Sequence, residues 1–192
     1  MGMGNVARVC LSHLFLFAMF MNLTPFALAL PAQVVILRHA EKPEVGDHLS
    51  PKGYARAQAL VGFWRTHPVV AQYGDPVAFY ASYSPNKSVR SIETLSPSAV
   101  FYRRPLFSHF QKDQTFELAQ EILNRPEFHG RTVVVAWQHT NIIPMLRALG
   151  VQNAPPIWPD SIFNQVAVVR YALGPPARFG MYPQCVLPGD CM

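Results

Sequence analysis

Gln33-Val34-Val35-Ile36-Leu37-Arg38-His39-Ala40-Glu41-Lys42-Pro43 is an apolar run that ends abruptly in charge. Val34 to Leu37 are consecutive, mostly β-branched residues, the pattern of a strand buried on both faces in the middle of a parallel sheet. Arg38 and His39 then place a fixed cation and a titratable imidazole at the strand's C-terminal end. In open α/β sheets that edge is where ligands bind. The same pattern recurs once. Thr132 to Trp137 reads as a second buried strand, and Gln138-His139-Thr140-Asn141 follows it.

Between and beyond these strands, helical and strand patterns alternate. Ser50-Pro51 reads as N-cap and first residue of a helix over Lys52 to Arg65, with Tyr54, Ala57, Leu60, Val61 and Trp64 at helical spacing. Val77 to Ala81 is a short strand, Ser82 to Lys87 a loop, and Val89 to Leu95 a short helix. A strand is expected around Ala99 to Tyr102. Thr115 to Asn124 is an amphipathic helix with Leu118, Ala119, Ile122 and Leu123 inward. A helix from Ile142 to Leu149 ends at Gly150, and the last strand runs from Val166 to Tyr171. This alternation predicts a three-layer α/β sandwich with a mostly parallel central sheet. Residues 30–174 form the domain, and 175–192 are expected to be an irregular tail.

The N-terminus is of another kind. Met1 to Ala29 carries one charge, Arg8, then an apolar stretch, then Ala27-Leu28-Ala29. Basic segment, apolar core and small-residue site in that order predict a signal peptide cleaved after Ala29, and so a secreted or periplasmic protein. Asn22, Thr24 and Pro25 interrupt the stretch and argue against a retained anchor, so no stable membrane insertion is expected after cleavage. The whole chain has a net charge of +5, and losing Arg8 leaves it mildly basic. Without a Lys/Arg block or aromatic-basic interleaving, nucleic acid is not an expected partner; a small anion is. Cys10 leaves with the signal. Cys185 and Cys191 remain and can pair in an oxidising compartment.

If the two buried strands are parallel neighbours, His39 and His139 face one crevice. The segment Ser84 to Thr94 lies between them in sequence, entering a helix with Arg90 near its start. Two arginines, two histidines and a helix N-terminus make a socket for a tetrahedral dianion. A metal is not expected: arginines beside the histidines repel a cation, and no acidic cluster accompanies them.

In this order, Arg38-His39, Arg90 to Thr94 as R-x-x-x-T, and His139 after a strand resemble the signature of the histidine phosphatase superfamily, the phosphoglycerate mutase-like fold. Leu49-Ser50-Pro51-Lys52-Gly53 to Ala57-Gln58-Ala59-Leu60 is similar to a supporting helix of that family. The resemblance spans Gln33 to Tyr171. It implies a small phosphorylated substrate, no cofactor and a phosphohistidine on His39. Arg38, Arg90 and His139 would bind the phosphoryl oxygens.

It also implies a carboxylic acid that protonates the leaving oxygen, usually placed between the middle arginine and the late histidine. Asp113 is the expected donor, in a loop before a helix. Glu117 and Glu121 lie on that helix's polar stripe, and Glu41 and Glu93 are outside candidates. Two departures from the family pattern stand out. Ser84 is further from Arg90 than the usual serine, which puts it in doubt as a phosphate ligand. Gln138 stands where many relatives have glycine. Arg103 and Arg104 either extend the positive pocket or are surface residues, and Asp47 and His48 are expected only to solvate a loop. Besides a phosphatase, the residues are compatible with a phosphoglycerate mutase-like phosphotransferase, or with a phosphate-binding domain that has lost its acid. The oligomeric state is not legible.

Overall fold

The computed structural model describes residues 30–84, 88–172, 174 and 176–191. The expected signal peptide and its cleavage point at Ala29 lie outside the described residues. Within them, no helix is long and apolar enough to cross a membrane.

Strand β1 (Gln33–Arg38) is fully buried, as its apolar run requires. Helix α1 (Pro51–Thr66) follows, with Ser50 Oγ accepting the N–H of Gly53 and Pro51 at the first position. Then come β2 (Pro76–Ala81), α2 (Arg90–Tyr102), β3 (Leu106–Phe107), α3 (Thr115–Asn124), β4 (Thr132–Trp137), α4 (His139–Ala148), β5 (Gln165–Arg170) and β6 (Arg178–Pro183). The sheet order is β3-β2-β4-β1-β5-β6. β1 to β4 are mutually parallel, while β5 pairs antiparallel with β1 and β6 antiparallel with β5. Only β5 therefore runs against the rest, and the sheet is mostly parallel.

Alternate residues of each central strand feed two cores. Val34, Ile36, Val133 and Val135 pack under α3 and α4 with Leu118, Ile122, Ile142 and Leu146. Val35, Leu37, Phe79 and Val134 pack under α1 and α2 with Leu60, Phe63, Trp64 and Leu95. The result is a three-layer α/β sandwich.

Two expectations are corrected. Ala99 to Tyr102 is not a strand but the last turn of α2, which runs through Pro97. Leu95, Ala99 and Tyr102 recur at helical spacing on one core face, and that burial outweighs the hydrogen bond the proline removes. The next strand is the two-residue β3. The tail beyond Gly174 is also not wholly irregular, since it carries β6 at the sheet edge. Its R-F-G-M-Y-P sequence is exposed at both ends and half-buried at the four positions between, rather than alternating, so it gives no period-two signal. Beyond β6, Cys185 and Cys191 are joined in a disulfide.

Candidate active site

β1 and β4 are parallel neighbours in a register that places Arg38 opposite Trp137. The ladder continues one bond further, from His39 N–H to Trp137 O at 3.0 Å. The two strands thus end together, and His139 opens α4 beside His39. Because α4 starts at His139, three residues earlier than its apolar pattern suggests, the imidazole sits on the helix's first turn.

Helix α2 supplies the third part. Thr94 is fully buried, and its Oγ1 accepts the N–H of Ala40 at 2.9 Å while donating to Arg90 O at 2.7 Å. The R-x-x-x-T spacing is therefore one helical turn whose far end is fastened to the residue after His39. Arg90 lies over the loop before α1, with Nε donating to His48 O at 3.1 Å and Nη2 donating to Gly46 O. Val89 N–H adds a bond to Asp47 O at 3.1 Å. The Asp47-His48 loop thus positions Arg90 through its backbone, more than the solvated role expected of it.

His39 is 5% exposed. Its Nδ1 lies 2.8 Å from Ala40 O, and only an N–H can bond to a carbonyl, so Nδ1 carries the proton. Burial, helped by the charges of Arg38 and Arg90, pushes the imidazole pKa down to about 4. At neutral pH the ring is neutral, with its free lone pair on Nε2. His139 is also held below its ordinary value, by burial and then by Arg38.

Arg38 is 1% exposed, and its Cζ lies 3.8 Å from the centre of the Phe163 ring. Among the described residues, its Nε has no hydrogen-bond partner. Nη2 meets Asp160 Oδ1 at 2.7 Å, and Nη1 donates to Asp160 O. The same Oδ1 is 3.5 Å from His139 Nε2.

The expected carboxylates fall elsewhere. Glu41 is gripped by the Arg56 guanidinium at 2.9 and 2.7 Å. Glu93 accepts from Leu49 N–H and Tyr54 Oη and pairs with His48, while Glu121 pairs with Tyr80, His109 and Arg125. Asp113 and Glu117 are exposed around the start of α3. Asp113 uses its backbone carbonyl to receive Thr115 N–H at 2.8 Å. Among the described residues, no hydrogen bond or ion pair joins either carboxylate to Arg38, His39, Arg90 or His139. Arg103 and Arg104 follow the C-terminal end of α2, about 18 Å along the helix from Arg90, and do not extend the pocket.

Sequence reasoning passed over Asp160. It lies in the Pro-rich loop before β5, and because β5 runs antiparallel to β1, that loop returns to the edge where Arg38 ends. The signal available was an acid shortly before the last strand; the strand's direction was not. Ser84 also finds a place. With Tyr83, Ser88, Gln111, Lys112 and Gln138 it lines a polar cleft of about 410 Å³, and Gln138 Nε2 approaches Ser84 Oγ at 3.5 Å. Among the described residues, no three His, Cys, Asp or Glu side chains are grouped to hold a metal ion.

No protein-family model and no curated protein matches the chain. Solved structures do. A protein of Nakamurella multipartitia assigned as the phosphohistidine phosphatase SixA superposes with a TM-score of 0.53 at 17% identity, covering 79% of this chain and 95% of that one. The protein histidine phosphatase SixA complexed with tungstate gives 0.51 at 17% identity, covering 80% and 97%. The fold is the one these histidine phosphatases share.

Proposed function

We propose that this chain is an exported, metal-independent phosphatase that hydrolyses small phosphomonoesters through a phosphohistidine on His39. The observation that carries the reading is the state of His39. Its Nδ1–H is committed to Ala40 O, so Nε2 is an unprotonated nucleophile at neutral pH. Arg38 and His139 stand beside it, and Arg90 is close enough to bias its charge. A buried arginine whose Nε finds no partner among the described residues suits a ligand with several oxygens. The guanidinium charges would offset the phosphoryl oxygens in the transition state, so no metal is called for. Export rests on the order of features in residues 1–29.

The test is chemical quench of purified protein turning over a radiolabelled phosphomonoester. Acid-labile, base-stable label on the parent and none on His39→Ala is the expected result, with inhibition by vanadate and none by chelators. Loss of activity in EDTA, restored by zinc, would overturn the mechanism. Transfer of the label to a glycerate acceptor rather than to water would make the protein a mutase.

A further inference from the structure

We propose that Asp160 is the proton donor of this site, and that in the free protein its carboxylate rests in the position a phosphoryl oxygen takes. The proposal rests on the phosphatase reading and adds a residue to it. Among the described residues, Asp160 is the carboxylate that meets both Arg38 and His139, with Oδ1 at 2.7 and 3.5 Å from them. Its side chain is 65% exposed, so it can turn away from Arg38 without unfolding anything. Glu41, Glu93 and Glu121 are each held by cations or N–H groups of the scaffold and have no such freedom.

The charges around Asp160 make the exchange productive. Arg38 first, then His139 and Lys42, favour the carboxylate over the acid in the free protein. A phosphate dianion arriving on Arg38 takes that partner away and puts negative charge beside Asp160. Both changes favour the protonated acid. Substrate binding thus converts a resting counter-ion into a proton donor.

The Nε2 lone pair of His39 forms the N–P bond while the P–O bond to the leaving group breaks. The leaving oxygen takes the Asp160 proton and departs as an alcohol, leaving a phosphohistidine and a carboxylate. Water then attacks phosphorus and gives one proton to Asp160. The N–P bond breaks, orthophosphate leaves, and Nε2 regains its lone pair.

The experiment compares Asp160→Asn, Asp113→Asn and the parent on glycerol phosphate and nitrophenyl phosphate. An alkoxide leaves poorly without a proton, so Asp160→Asn should lose roughly 10²- to 10⁴-fold on glycerol phosphate. The first step on nitrophenyl phosphate should survive, with phosphoenzyme accumulating because the second step lacks its base. Orthophosphate should bind the variant about two- to fivefold tighter, the worth of an ion pair with an exposed carboxylate that it no longer displaces. A glycerol phosphate rate near the parent's, an equal loss on both substrates, or the alkyl-selective loss appearing in Asp113→Asn would each overturn the assignment. A parent that turns over neither substrate would remove the phosphatase reading and this assignment together.

Discussion

Thr94 Oγ1 accepts the backbone N–H of Ala40 at 2.9 Å and so ties the turn that carries Arg90 to the residue after His39. The hydroxyl is fully buried. Thr94→Val keeps the shape and leaves a buried N–H unpaired, which costs about 1–3 kcal/mol. Thr94→Ser restores the hydroxyl and should recover most of that loss. Because the bond joins two parts of the site, kcat should fall with stability in the valine variant. Urea melts and steady-state rates on both variants check this; a valine variant with unchanged kcat would mean that the tie holds the fold and not the site.

The depressed pKa of His39 links stability to pH. Its folded value, about 4, lies below the ordinary 6.5, so on acidification the unfolded chain takes up the proton first. The contribution is complete above about pH 6.5, falls through that interval and is gone below about 4. Its size is on the order of 3 kcal/mol. His67 and His139 are shifted the same way, so His39→Gln should flatten the slope without abolishing it. Denaturant melts from pH 7 to 4 on the two proteins measure the difference, and parallel curves would show that another group titrates.

What could be read in advance follows from how far each signal reaches. Val34–Leu37 and Thr132–Trp137 announce themselves because burial on both faces leaves an unbroken apolar run. The residues ending those runs, Arg38-His39 and His139, inherit their positions from the sheet. The R-x-x-x-T spacing is local to one helix and equally legible. Strand direction is a tertiary fact, and Asp160 depends on it. Asp113 had only its place in the sequence to recommend it. Proline misled at Pro97, since core burial carried α2 through it, and β6 was invisible because its half-buried edge has no alternation.

Gly53 marks a close approach between α1 and the loop that carries His39. A Cβ there would lie 2.3 Å from Glu41 O and 3.1 Å from Leu49 Cβ. Glu41 O is also the anchor for Ser50 N–H at 2.9 Å. Gly53→Ala must therefore push the helix away from the loop. The expected cost is about 1–3 kcal/mol, with a fall in kcat because His39 lies two residues before Glu41. A Cβ at Gly62 on the same helix would meet nothing within 4 Å among the described residues, and Gly62→Ala should be neutral or slightly stabilising. Thermal melts of the pair separate close approach from helix propensity.

Arg56 fastens the tail to the rest of the fold through Asp190. Arg56 is 1% exposed, and each of its N–H groups is used. Nε and Nη2 hold Glu41 at 2.9 and 2.7 Å; Nη1 and Nη2 hold Asp190 at 2.8 and 2.9 Å; Nη1 also reaches Gln184 Oε1 at 2.9 Å. Asp190 Oδ2 in turn receives the N–H groups of Val186 and Leu187 at 3.1 and 2.9 Å. Those residues lie inside the ring closed by Cys185–Cys191, so the ring presents Asp190 to a buried cation that also holds Glu41, two residues after His39. Burial works against the Asp190 charge, but Arg56 more than offsets it and holds the carboxyl below its ordinary value. The stability it contributes is therefore present above its ordinary pKa and lost as pH falls through the lower, folded value. Arg56→Ala strands two carboxylates and should cost about 3–5 kcal/mol. Reducing the disulfide should cost about 2 kcal/mol for so short a loop. The two effects share Asp190 and should not add. In Asp190→Asn the ring has lost its charged partner, so reduction should lower the melting temperature less than it does in the parent. Melts with and without reductant on both proteins decide it: equal shifts would show that the ring stabilises the tail independently of Arg56.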